Sequence, residues 1–231
     1  MDYSNLYKKV KDSIVNIIQV DSNRSVVSTA TGSIIGHGCD VLTCSHCIDL
    51  SLSNAIYDKS TNLVKCGTVI FDDEKLDIAI LHFKDPIGTP LKIVKSDNLE
   101  IGNEIFTVGY PYTFPSEKTL TTGNIAAFEN GLIKIDSSVN NGNSGGPLFN
   151  TNGEIVGVIN AKLGRLSDFL EQIEKAKPQA FMQIGGIDPV QTIQEMLRQM
   201  QRNLNLGIGY AVPTSRISSA STIVKNLMES N

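Results

Sequence analysis

A serine set among glycines, Asn141-Gly142-Asn143-Ser144-Gly145-Gly146-Pro147-Leu148, separates two apolar runs: Leu132, Ile133 and Ile135 before it, and Ile155, Val156, Val158 and Ile159 after it. Two short strands joined by a tight glycine turn hold the Ser144 hydroxyl out of the packed body. They also leave the N–H groups of Gly142, Asn143 and Ser144 to converge on one point, the donor cluster that stabilises an acyl-transfer oxyanion. A serine nucleophile needs a base and a group that orients it. His46 follows a short apolar strand in Thr43-Cys44-Ser45-His46-Cys47, where its ring is held rigidly against a cleft. Asp77 heads Leu76-Asp77-Ile78-Ala79-Ile80-Leu81, and a carboxylate at the mouth of a buried strand is costly unless paired or hydrogen-bonded. Each residue also has a plainer reading: a turn serine, a core histidine, a strand-start cap. His37, in a glycine turn, and His82, near a strand end, are read as structural.

The four cysteines, Cys39, Cys44, Cys47 and Cys66, cluster in one stretch. Cys44-Ser45-His46-Cys47 has part of a zinc spacing, but only three histidines exist and no second Cys-x-x-Cys pair completes it. Reduced, largely buried thiols are expected, with no metal and no cofactor. Across 231 residues, 41% hydrophobic and 19% charged, the chain has the composition of a globular protein. A net charge of −4 gives no electrostatic footprint for nucleic acid or for an anionic membrane surface. Residues 1–20 mix lysines with apolar positions and hold no signal-peptide run, so a cytoplasmic location is expected.

The elements that must position these residues are mostly strands. Leu6, Tyr7 and Val10 among lysines give a short amphipathic helix over 3–13. Strands follow at Ile14–Val20, 25–36, 39–44, 54–59, 63–71 and 76–81, then at Glu104–Gly109, 120–128 and 132–137. Asn152-Gly153 signals a hairpin. Beyond it the alternation breaks. Leu166, Phe169, Leu170, Ile173 and Ala176 recur at helical spacing, and Asp188-Pro189 starts a second amphipathic helix through Ile193 and Met196. Gly207 to Pro213 returns to strand, and Thr214 or Ser215 caps a last helix ending near Met228.

His46, Asp77 and Ser144, in that order, with their flanking motifs, resemble the chymotrypsin-like serine proteases, the HtrA/Deg type more than trypsin. Gly207-Ile208-Gly209-Tyr210-Ala211-Val212-Pro213 is similar to the closing strand of the HtrA/Deg protease domain. The resemblance implies an all-β fold of two antiparallel six-stranded β-barrels with a helical insertion and a C-terminal helix. It implies one domain, residues 1–100 forming the first barrel and 101–231 the second, with the insertion at 163–205. It gives Ser144 as nucleophile, His46 as base, Asp77 as the orienting acid, and an oxyanion hole from Gly142, Asn143 and Ser144. Trypsin-type enzymes pair the cysteine after the histidine with one on the preceding strand, where this chain has Thr31, so Cys47 is expected to lack that partner. Asn143 replaces the aspartate that receives a new amino terminus in trypsin-type zymogens, so cleavage activation is not expected. The chain ends soon after the last strand, with no room in it for the PDZ domain typical of the HtrA/Deg type.

By the same analogy Ser138, Val139, Ile159, Asn160, Ala161 and Lys162 line the primary substrate pocket. That pocket takes a small apolar residue, or an acidic one if Lys162 reaches into it. The expected partners are protein or peptide substrates, with no nucleic acid and no membrane. A regulatory partner at 163–205 is weighed against a helical decoration packed on the second barrel. Two other functions fit the same machinery: a catalytically silent binding module on this fold, and an ester hydrolase.

Overall fold

In a computed structural model, which describes residues 2–58, 61–111, 117–160, 192–196, 207–220 and 222–229, the β-branched alternations of the sequence become thirteen strands. The first seven are β1 (Ile14–Val20), β2 (Val26–Ile35), β3 (Asp40–Thr43), β4 (Ser53–Asp58), β5 (Leu63–Cys66), β6 (Thr68–Asp73) and β7 (Ile78–His82). They pair antiparallel in the order β5-β4-β1-β2-β3-β7-β6. The remaining six are β8 (Glu104–Gly109), β9 (Thr119–Glu129), β10 (Leu132–Ile135), β11 (Pro147–Phe149), β12 (Ile155–Ile159) and β13 (Gly209–Pro213). These close into a barrel ordered β10-β13-β12-β11-β8-β9. The second six-stranded barrel is therefore present, and the first body is a curled half-barrel whose sheet counts seven strands where six were expected, consistent with the chymotrypsin-like fold.

Gly67 accounts for that difference. The run read as one strand over 63–71 breaks there into β5, which pairs with β4, and β6, which pairs with β7. The Gly67 amide still donates to the Asn54 carbonyl (2.9 Å), while the Phe83 ring fills the space a Cβ would need. A single strand thus becomes the two ends of one sheet, turned at a glycine corner as barrel corners commonly are.

Apolar residues facing inward along the strands form two clusters. Ile105, Ile125, Ile133, Ile135, Leu148, Val156, Ile159 and Ala211 fill the closed barrel. The larger cluster runs from the first sheet (Ile17, Ile34, Leu42, Ile80) to Phe106, Val108, Phe149 and Val158 of the barrel. At that junction Phe106 and Phe149 stack at 4.7 Å, and Tyr3 meets Phe106 edge-on at 5.9 Å. The N-terminal helix, Tyr3–Val10, is capped by the Asp2 carboxylate and reaches the barrel through Lys9 Nζ on the Asn152 carbonyl (2.9 Å).

The chain end is helical over Thr214–Ala220 and Thr222–Glu229. Thr214, expected as a cap, instead donates its hydroxyl to the Val94 carbonyl (2.7 Å), tying this end to the connection between the two bodies. The 150–154 turn is wider than a two-residue Asn-Gly hairpin. Phe149 pairs with Ile155, and Asn150 Oδ1 accepts from the Asn152 and Glu154 amides, which organises the longer loop. Of the helical stretch expected at 163–205, residues 192–196 are helical and the rest lie outside the described residues. No described helix is long and apolar enough to cross a membrane.

Candidate functional site

The turn after β3 carries His46 on a short 3-10 segment, Ser45–Cys47, and the turn before β7 carries Asp77. Pairing of β3 with β7, Thr43 opposite Ala79, brings the two together. Asp77 has φ +59°, a left-handed backbone that Asp tolerates better than most residues. There its carboxylate accepts from the His46 amide (Oδ1, 2.9 Å), from His46 Nδ1 (Oδ2, 2.6 Å) and from Asn160 Nδ2 (Oδ2, 2.6 Å). The His46 side chain is 24% exposed and that of Asp77 17%, so the pair is shielded but reachable. Burial pushes the imidazole down; the hydrogen bond to Asp77 and the neighbouring Cys47 thiol outweigh it and lift His46 to about 9. A ring held through Nδ1 by a carboxylate leaves Nε2 to exchange a proton with a neighbouring hydroxyl.

Ser144 sits on two consecutive turns. The Asn143 amide donates to the Asn140 carbonyl and the Gly146 amide to the Asn143 carbonyl, both at 3.0 Å. Gly142 and Gly145 occupy the third position of each turn with φ +91° and +81°, while Asn141 and Ser144 keep negative φ. That pattern defines two type II turns, whose third position demands glycine or asparagine. Ser144 thus stands at the corner of the second turn. Gly145 has a second constraint, because a Cβ there would collide with Thr43 Oγ1 and the Thr31 carbonyl.

Thr31, on β2 and fully buried, fastens this loop to the first sheet. Its hydroxyl donates to the Gly142 carbonyl (2.6 Å) and accepts from the Tyr110 amide (2.9 Å). Its own amide donates to the Ser144 carbonyl (3.0 Å), and its carbonyl accepts from Thr43 Oγ1 (2.9 Å). The serine loop and the histidine turn also share an acceptor. The Ile159 carbonyl receives the Gly145 amide (2.9 Å) and the Cys44 thiol (3.2 Å).

The expected site residues divide on this geometry. His46 and Asp77 are hydrogen-bonded, and Ser144 is joined to their wall through Ile159 and Thr31. Of the three amides expected to converge freely, that of Asn143 is committed to its own turn, and its side-chain Oδ1 is buried without a partner among the described residues. Ile159 and Asn160 do not present an open pocket wall. Ile159 is 0% exposed and belongs to the barrel core, and the amide of Asn160, 2% exposed, is aimed at Asp77. Ser138 and Val139 are half-buried, Val139 packing over Gly209. Ala161 and Lys162 lie outside the described residues.

Asn160, expected at the substrate pocket, donates its side-chain amide to Asp77, and Thr31, expected only as the place of an absent cysteine, ties the serine loop to β2. A polar residue ending an apolar strand was the available signal for Asn160; nothing local marked Thr31. The cysteines also differ in part from expectation. Cys44 and Cys47 are buried, but Cys39 is half-buried and Cys66 exposed, because β5 lies at the sheet edge with its side chains outward. His82 pairs with Asp40 (2.8 Å), and His37 is exposed.

Comparison with known proteins bears on the same residues. A family model described as a trypsin-like peptidase domain matches residues 30–158. A probable periplasmic serine endoprotease DegP-like from Marinomonas sp. is 33% identical over 141 residues, covering 57% of this chain and 29% of its own length. Its counterpart from Pseudomonas savastanoi pv. phaseolicola is 30% identical over 160 residues, 65% of this chain and 32% of its own. The magnetosome formation protease MamE of Magnetospirillum gryphiswaldense is 26% identical over 215 residues, 83% of this chain and 27% of its own. The chain spans about a third of the length of these relatives. The DegP-like relatives are named periplasmic, which overturns the cytoplasmic location expected from residues 1–20. Targeting segments are removed from mature proteins, so the composition of a domain does not report its compartment. The match over more than half of its residues and the curled sheet joined to a closed barrel agree: the chain belongs to the trypsin-like peptidase domain family, and within it to the HtrA type.

Proposed function

We propose that this protein is a serine endopeptidase acting on protein or peptide substrates through an acyl-enzyme. Ser144 Oγ attacks the scissile carbonyl, His46 Nε2 takes its proton and returns it to the leaving amine, and Asp77 holds the ring tautomer and stabilises the imidazolium. The Gly142 and Ser144 amides receive the oxyanion, and the turn-bound Asn143 amide acts by fixing their direction. The observation that carries the reading is the three-donor cradle on Asp77, with His46 Nδ1 at 2.6 Å. Such a cradle keeps the acid ionised and the imidazole oriented, as a general base requires. Ser138 and Val139 form the near wall of the substrate pocket. The names of the relatives favour work outside the cytoplasm.

A fluorophosphonate probe tests this directly. One adduct, on Ser144, is expected in the wild type and none in Ser144→Ala, with peptide hydrolysis lost in parallel. A folded wild type that stays unlabelled, or labelling that survives Ser144→Ala, overturns the proposal.

A further inference from the structure

The fold sets two thiols that peptide hydrolysis does not use beside the histidine proposed as its base. Cys44 precedes the 3-10 turn and Cys47 ends it, with the Cys47 amide donating to the Cys44 carbonyl (3.1 Å). This turn brings the two thiols and the His46 ring into one cluster. One ligand atom from each of Cys44, His46 and Cys47 lies within 4.8 Å of the other two. Cys44 is fully buried and Cys47 6% exposed, so ion entry is past the partly open imidazole.

We propose that Cys44, Cys47 and His46 form a site for a thiophilic divalent cation such as Zn²⁺, and that filling it arrests hydrolysis reversibly. Metal–sulfur bonds near 2.3 Å and metal–nitrogen bonds near 2.0 Å about a tetrahedral centre need donors roughly 3.5–3.8 Å apart. From separations of up to 4.8 Å the three groups therefore draw in by up to about 1.3 Å, within the reach of side-chain rotation at a turn. Two thiolates and an imidazole are the donor types that borderline-soft ions select, and the fourth position is left to water. Lack of a second Cys-x-x-Cys pair argued against a four-ligand structural site; it does not bear on a three-ligand one assembled around the histidine. Binding releases the protons carried by the two sulfurs and by the ring nitrogen that ligates, and involves no change of oxidation state. Either ring nitrogen gives the same outcome. Ligation through Nε2 removes the lone pair that accepts the serine proton, and ligation through Nδ1 displaces the bond to Asp77.

The inhibitory half rests on the role proposed for His46; the binding half does not. The probe is Co²⁺ added to the reduced full chain, read by its thiolate-to-cobalt charge-transfer band, with Zn²⁺ competing the band away. A band saturating at one equivalent is expected in the wild type and none in Cys44→Ser/Cys47→Ser. Cys47→Ala alone leaves the core thiol Cys44 in place and keeps the test valid if the double variant fails to fold; it too should lose the band. Zn²⁺ should abolish fluorophosphonate labelling, a chelator should restore it, and labelling of the folded cysteine variant should not respond to Zn²⁺. No band, or one that survives both variants, overturns the site while leaving the protease reading intact. A band in a chain that never labels removes the protease reading while leaving the site. A band together with labelling indifferent to Zn²⁺ overturns the inhibitory half.

Discussion

Asp77 gathers the hydrogen bonds of the proposed triad on one side chain. Its left-handed backbone points the carboxylate at His46, and Asn160 and the His46 amide hold it there. Because the carboxylate lifts His46, replacing it has a predictable sign. In Asp77→Asn the raised imidazole pKa falls, so the acid limb of kcat/KM moves to lower pH even as kcat drops. The drop expected is about 10⁴, the size of the corresponding change in serine proteases with this triad. A pH–rate profile of both proteins checks this. An unchanged acid limb would mean that a group other than His46 governs it.

At the scale of elements, the serine turn is held from outside itself. Two type II turns set its shape, but β2 fixes its place through Thr31, whose hydroxyl serves Gly142 and Tyr110 at once. Thr31→Val keeps the volume and removes the hydroxyl, leaving a half-buried carbonyl and a half-buried amide without that partner, at a cost below the ~1–3 kcal/mol of a fully buried group. Relief of that cost by movement of the Gly142 peptide disorders the oxyanion donors. We expect kcat to fall about 10–100-fold with KM little changed, less than the ~10²–10³ that outright loss of an oxyanion donor costs. Thr31→Ser should recover most of the loss. Steady-state kinetics on one peptide separates the cases. If Thr31→Val lowers thermal stability but keeps the wild-type kcat, Thr31 supports the fold and not the loop.

Across the whole molecule, the site lies where two sheets meet, and a surface ion pair, Lys92 with Glu154, links the connection between them to the barrel. Glu154, at the base of the 150–154 turn, accepts from Asn150 (2.9 Å) and from Lys92 of the inter-sheet connection (2.6 Å). Asn150 first and Lys92 next hold its carboxyl down at about 2. A group depressed in the folded state contributes stability above its ordinary value near 4.5, and that contribution is lost as pH falls toward 2. Glu154→Gln should therefore have a shallower loss of Tm between about pH 5 and 2 than the wild type, with nearly equal activity at neutral pH. Parallel slopes in thermal melts would show that this carboxylate takes no part in acid unfolding.

Sequence by itself determined the local parts: Ile14–Val20 and Glu104–Gly109 match β1 and β8 end to end, and the glycine spacing of the serine loop dictates its turns. It also supplied the order of His46, Asp77 and Ser144, because short-range patterning and turn chemistry are written in neighbouring residues. Tertiary structure decided what depends on distant partners. Thr31 meets Gly142 across 111 positions, Asn160 meets Asp77 across 83, and Gly67 turns one expected strand into two sheet ends. The convergence of Cys44, Cys47 and His46 belongs with these. A spacing of three places two thiols on one turn, but only the packed turn brings the imidazole within 4.8 Å of them.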